Sequence, residues 1–390
     1  MSEPQPAGVA AIDVQPVREI PVDRGAPPDE DLGLCLSGGG YRAMLFHLGA
    51  LRRLNDAKLL ARLNRLSSVS GGSITAAILG LRWGRLGWRD GVATNFDEFV
   101  LSPVRELARH TIDVSSVIEG FAPFTSVGRR VAHAYREHLF GDATLQSLPN
   151  SSGPHFVICA TNLESGVLFR FSRRYVADWR VGMISAPEIS LADAVAASSA
   201  FPPVLSPFVI DLRKAAWKTV AGNELTTPEY RGKIELSDGG VYDNLGLETV
   251  WKRCRTVLVS DGGGHMANDP DPPHDWPRQM MRVLDVIDNQ VRDLRKRQTI
   301  ASYKLGLRSG TYWGIRGDIT DYGLSDPLPC PHAQTLALAA TPTRLKKLPD
   351  LTQERLINWG YAITDAALRQ HLDPTIPPAT AFPYPAAGVG

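Results

Sequence analysis

The sequence predicts an α/β fold with a mostly parallel central sheet, and three observations predict it. Short apolar runs suited to buried strands recur at residues 32–36, 63–67, 156–161, 233–236 and 256–259. Segments with helical spacing of apolar residues stand between several of them, as at 45–54 and 191–197. Where a run ends, the chain turns glycine-rich, at Gly38-Gly39-Gly40, Gly71-Gly72, Gly239-Gly240 and Gly262-Gly263-Gly264. Strand, glycine turn and helix in repeated succession is how a parallel sheet wrapped by helices is written.

Residues 1–31 are rich in proline, acidic and small residues and read as an extended N-terminal arm. The first strand, 32–36, stops at Ser37-Gly38-Gly39-Gly40-Tyr41-Arg42, and the helix after it carries Leu45, Leu48, Leu51 and Leu54 on one face. The second strand runs into a tight turn, Ser68-Val69-Ser70-Gly71-Gly72, and a small-residue helix begins at Ser73. A helix is expected at 127–138. Strands at 156–161 and 167–171 come next, then a helix at 191–197 that two prolines stop after Phe201. A strand at 233–236 runs into Asp238-Gly239-Gly240-Val241-Tyr242-Asp243-Asn244, and another at 256–259 into Asp261-Gly262-Gly263-Gly264. The main α/β unit is thus expected over 32–265, with 266–390 a mainly helical extension packed on the same domain. In that extension Met281, Leu284, Ile287, Val291 and Leu294 line one face of a helix at 278–297, whose Arg295-Lys296-Arg297 cluster reads as a solvated helix end. A last helix is expected at 351–371, followed by a loosely held proline-rich tail.

Composition narrows the function classes. With 43% hydrophobic and 21% charged residues among 390, the chain is an ordinary globular protein long enough for a sizeable core. A formal net charge of +1 argues against nucleic-acid binding through bulk charge. The four cysteines, Cys35, Cys159, Cys254 and Cys330, are far apart and lack metal-site spacing, which suits reduced thiols in a reducing compartment. No basic and apolar leader opens the chain, and no run approaches the ~18 apolar residues of a membrane span. A cytoplasmic protein, free or peripheral to a membrane, is expected. Composition sets no oligomeric state.

The chemistry gathers at the glycine turns. A serine between strand and helix with glycines beyond it has the form of a nucleophile elbow, which makes Ser70 the candidate nucleophile. Gly71 and Gly72 keep side chains away from an arriving carbonyl, and the helix N-terminus favours developing negative charge. Ser68 stands where such an elbow usually has its first glycine. Ser70 and Ser73 also suit a plain helix N-cap. The sequence Gly38-Gly39-Gly40-Tyr41-Arg42-Ala43 fits a dinucleotide fingerprint, but the second strand lacks the closing carboxylate that would hold a ribose. The amides of Gly38, Gly39 and Gly40 instead suit an oxyanion hole, with Arg42 adding positive charge. For a base, His265 lies in what reads as a mobile surface loop and His47 reads as a packed helix residue. Asp238 and Asp261 both stand at strand ends, and sequence physics leaves the two open.

Taken together, GGGYRA, SVSGGS, ASSAFPPVLSPF and DGGVYDNLG, in that order, resemble the patatin-like phospholipases over about residues 32–264. The resemblance implies a three-layer α/β/α fold and hydrolysis of lipid acyl esters by a serine and an aspartate, with no metal, cofactor or catalytic histidine. It assigns Ser70 as nucleophile and Asp238 as base, because Asp243-Asn244 follows closely, and Gly38, Gly39, Gly40 and Arg42 as the oxyanion loop. Acyl transfer on the same dyad, and lipid binding without turnover, are the neighbouring alternatives.

Overall fold

The computed structural model describes residues 28–112, 125–220, 222–264 and 266–390. Strand β1 (Glu30–Leu36) leads into helix α1 (Gly40–Asp56), and β2 (Arg65–Val69) into α2 (Gly71–Arg82). A small hairpin, β3 (Trp88–Arg89) and β4 (Val92–Ala93), precedes α3 (Ser102–Leu107) and α4 (Thr125–Tyr135). Four strands follow, β5 (His155–Asn162), β6 (Val167–Phe171), β7 (Tyr175–Asp178) and β8 (Gly182–Ser185). Next come α5 (Leu191–Ser198), β9 (Phe208–Asp211), β10 (Trp217–Lys218), α6 (Pro228–Arg231) and β11 (Lys233–Asp238). The chain closes with α7 (Gly240–Asp243), α8 (Glu248–Trp251), β12 (Cys254–Asp261), α9 (Trp276–Lys304), β13 (Ser309–Gly314), α10 (His332–Ala339) and α11 (Asp350–His371).

Five strands, in the order β13-β12-β1-β2-β5, pair parallel and form the centre of the sheet. Beyond β5, strands β6, β7, β8 and β10 add antiparallel neighbours. Alternation along the central strands explains the layers, because successive side chains point to opposite faces. On β1, Leu34 and Leu36 enter the large core beneath α1 and α2, while Cys35 points to a second cluster with Leu245, Leu247 and Val250. Helices therefore cover both faces of the sheet.

One pairing matters most for function. Strand β2 runs parallel along one edge of β5 and stops at Val69, opposite Cys159. Strand β11 runs antiparallel along β5 and stops at Asp238, opposite Ala160. Since β6 occupies the other edge of β5, β2 and β11 meet end to end on one edge, and their terminal residues face adjacent positions of β5. Neighbouring Cα atoms in a strand are only about 3.8 Å apart.

The C-terminal region departs from its sequence reading in two places. Helix α9 is longer than the expected 278–297, and its apolar residues Leu284, Ile287 and Leu294 are exposed rather than packed inward. The tail after Leu372 is held rather than loose. Asn358 donates to the carbonyls of Tyr384 (2.8 Å) and Gly388 (2.7 Å), Arg53 donates to that of Pro377, and Val389 is buried. Proline lacks an N–H but keeps its carbonyl, so a proline-rich stretch can still be tied down by side-chain donors.

Helix α11 packs along α1, the helix that carries the glycine loop at its start. Two glycines permit the crossing: a Cβ on Gly360 would run into the Phe46 carbonyl, and one on Gly49 into the Ile357 carbonyl. A buried ion pair, Arg53 to Asp365 at 2.7 Å, fixes the register. Gly360→Ala should therefore lower stability by about 3 kcal/mol in urea denaturation, because the strained atom meets backbone and not a mobile side chain. Gly84→Ala, at a position with open space around it, should stay within about 0.5 kcal/mol of the parent.

Candidate active site

Ser70 sits on a strained corner. Its backbone, at φ 49° and ψ −119°, lies in a region that non-glycine residues rarely occupy and that persists only where the surroundings hold it. The hold is visible. The Ser70 N–H donates to Ser198 Oγ (2.9 Å), and Ser198 Oγ donates to the Cys159 carbonyl of β5 (2.7 Å). Ser73 Oγ joins Ser198 (2.9 Å) and donates to Ser68 Oγ (3.0 Å). Ser68 thus fits the position usual for glycine, fully buried and hydrogen-bonded. Gly72 has no such latitude: a Cβ there would lie 2.6 Å from the Leu36 carbonyl and 2.7 Å from that of Ser37. Gly71 lies against the Gly40 carbonyl, so elbow and glycine loop touch.

Asp238 arrives from the other side. Its N–H donates to the Ala200 carbonyl (2.9 Å), so the segment 198–200 at the end of α5 holds both Ser70 and Asp238. Its carboxylate accepts a hydrogen bond from the Gly240 N–H (2.7 Å), and Ser70 lies close enough to favour its charged form. Burial pushes the carboxyl up to about 7, against the Gly240 amide and Ser70, which pull it down; the nearby charge of Asp288 pushes the same way as burial. A carboxylate with that pKa is poised to exchange a proton near neutrality.

The glycine loop lies beside this pair, at the end of β1. Gly39 (φ 141°) and Gly40 (φ 60°) adopt backbone that favours glycine. The Gly38 N–H donates to the Asn244 carbonyl (3.1 Å), while no hydrogen bond occupies the N–H of Gly39 or Gly40 among the described residues. Asn244 also wedges its side chain between Gly38 and Gly240, where a Cβ on either would collide with Asn244 Oδ1. That is why Asp243-Asn244 closely follows Asp238-Gly239-Gly240: one side chain links the loop to the turn that carries the carboxylate. Arg42 braces the loop from beneath, donating to the carbonyls of Gly262 (3.1 Å) and Thr341 (2.6 Å). Burial lowers its pKa to about 10, with the charge of Arg292 adding to the effect.

The other candidates are engaged elsewhere. Asp261 bonds Tyr312 Oη (2.7 Å), the Gly263 N–H (2.9 Å) and Arg292 (3.3 Å); although burial opposes it, the Arg292 charge above all keeps this carboxyl below its ordinary value. It lines a polar cavity with Tyr312, Arg316 and His332 that neither Ser70 nor Asp238 reaches. His47 is fully buried, with Nδ1 on Ser260 Oγ and Nε2 on the Ser37 carbonyl, both at 2.9 Å, and burial lowers its pKa to about 4. His265 lies outside the described residues, as does most of the N-terminal arm. Ser198 escaped sequence reasoning, and the small-residue run Ala196-Ala197-Ser198-Ser199 before two prolines was its only signal.

An α/β fold that sets a glycine loop, an elbow serine and a buried aspartate at one sheet edge is the class this arrangement defines. A profile of the patatin-like phospholipase family matches residues 34–251, and the chain belongs to that family of lipid hydrolases. No curated protein matches the sequence significantly. Among solved structures, human GIVD cytosolic phospholipase A2 in complex with methyl gamma-linolenyl fluorophosphonate is similar at 15% identity and a TM-score of 0.50, covering 86% of this chain and 57% of its own. VipD from Legionella pneumophila is similar at 14% identity and a TM-score of 0.36, covering 89% of this chain and 68% of its own. The chain spans little more than half of the human enzyme's length.

The raised pKa of Asp238 carries a stability consequence. Between the unfolded value of ~3.9 and the folded value of about 7, the folded chain keeps a proton that the unfolded chain has lost, so stability falls as pH rises through that window. Asp238→Asn removes the buried charge. Its unfolding free energy should match the parent's at pH 4 and exceed it at pH 8 by about 4 kcal/mol.

Proposed function

We propose that the protein hydrolyses carboxylic esters of lipids with Ser70 as nucleophile and Asp238 as its general base. The observation that carries this reading is the meeting of β2 and β11 on one edge of β5, which sets Ser70 beside a buried carboxylate whose pKa lies near neutrality. Asp238 takes the proton of Ser70 as Oγ attacks the ester carbonyl. The carbonyl oxygen becomes an oxyanion facing the amides of Gly39 and Gly40, each such donor being worth about 3 kcal/mol in the transition state. Collapse breaks the bond to the alcohol, which leaves with the proton from Asp238. Water then attacks the acyl-enzyme, Asp238 accepts its proton, and the carboxylic acid departs as Ser70 recovers its own. Gly38 and Arg42 serve by fixing the loop. The family supports a lipid substrate.

The test is covalent labelling with a fluorophosphonate probe, read by peptide mass spectrometry. Modification at Ser70 is expected; an unlabelled protein overturns the reading. Ser70→Ala should reduce turnover of a p-nitrophenyl acyl ester by about 10⁴-fold or more, with Asp238→Asn nearly as damaging. Asp261→Asn should retain activity, and the opposite ranking of the two aspartates would reassign the base. Because Asp238 acts in its ionised form, kcat/KM should fall tenfold per pH unit below about 7 and level off above it.

A further inference from the structure

Helix α9 is amphipathic and faces the wrong way for a core helix. Two of its basic residues meet the protein, Arg292 pairing with Asp261 (3.3 Å) and Arg295 with Glu248 (3.4 Å), and only Thr299 and Ser302 of the helix are buried. Its apolar residues face out. Met280, Val283, Leu284, Ile287 and Leu294 are 45% to 52% exposed, and Trp276 at its start is 75% exposed. Their spacing of three and four residues keeps them on one stripe. An exposed apolar stripe of this length marks an interaction surface.

The position of the stripe bears on what occupies it. Helix α7, which follows Asp238, packs against α9, and Asp288 of α9 lies close enough to Asp238 for its charge to be felt there. Val241 of α7 and Phe201, next to the Ala200 that holds Asp238, are also exposed. Exposed apolar residues therefore stand both on α9 and beside the dyad. With Arg292 and Arg295 turned inward, the helix still carries Arg278, Arg282, Lys296, Arg297 and Lys304 against three Asp, a basic balance suited to an anionic surface. A coiled-coil partner would use the stripe but would have no need of Phe201 or Val241.

We infer that the outward face of α9 seats the protein on an anionic lipid surface, with Trp276, Leu284, Ile287 and Leu294 entering the acyl boundary and the site opening toward its substrate. The choice of a lipid surface rests on the lipid-hydrolase reading. The fold requires none of these side chains, so their replacement leaves the core intact.

The test uses the full chain, sedimented with vesicles of phosphatidylcholine and phosphatidylglycerol in a two-to-one ratio. The triple variant Leu284→Gln, Ile287→Gln, Leu294→Gln should bind at least about tenfold more weakly than the parent. Its turnover of soluble p-nitrophenyl butyrate should be unchanged, and Trp276→Phe should remove a blue-shifted emission that vesicles induce in the parent. Equal vesicle binding by the parent and the triple variant overturns the inference, as does a parent that binds no vesicles. A parent dimer that the substitutions convert to a monomer, with vesicle binding untouched, assigns the face to a second copy instead. The two readings fail separately: a parent inert toward butyrate that still binds vesicles through α9 defeats the hydrolase and leaves the docking face standing.

Discussion

Two strands that approach each other along one edge of β5 set the geometry on which the site depends. Because β2 ends opposite Cys159 and β11 ends opposite Ala160, Ser70 and Asp238 are brought together by backbone hydrogen bonding and not by loop conformation. Chain ends fixed by a sheet are positioned more tightly than loop residues. Residues 198–200 then clamp both ends at once, through Ser198 Oγ and the Ala200 carbonyl. The strained backbone of Ser70 survives because this clamp leaves it nowhere to relax.

Burial at that junction has a chemical effect as well as a structural one. A solvated aspartate is too weak a base near neutrality, and the same enclosure that holds Asp238 in place raises its proton affinity. Asp261, buried to a similar degree at the end of β12, goes the other way because Arg292, Tyr312 and the Gly263 amide stabilise its charge. Two aspartates of near-identical sequence setting thus acquire different electrostatics from their neighbours alone.

That contrast marks the limit of what could be read from the sequence. The elbow and the glycine loop were legible because both are local: an apolar run, a cluster of small residues and the start of a helix lie within about ten residues of each other. Strands β1, β5, β6, β11 and β12 were legible for the same reason, whereas β7, β8 and β10 are too short to carry a pattern. The partners of Asp238 and Asp261 come from distant segments, and no local signal distinguishes them. On α9 the stripe of Leu284, Ile287, Val291 and Leu294 was plain, but periodicity states that a helix has two faces and not which one meets the protein. Proline content misled at the tail, where Asn358 donates to the Tyr384 and Gly388 carbonyls and accepts from the Tyr384 N–H.

The placement of β1 reaches beyond the residues that identify the family. β1 lies between β2 and β12, and α11 buttresses the helix that springs from its glycine loop. A fragment trimmed to residues 34–251 would lose β12, β13 and α11 together. The strand beneath the loop would become a raw sheet margin, and the Gly262 and Thr341 carbonyls that anchor Arg42 would be gone. The stretch by which the protein is recognised is therefore smaller than the stretch needed to hold its loop in shape.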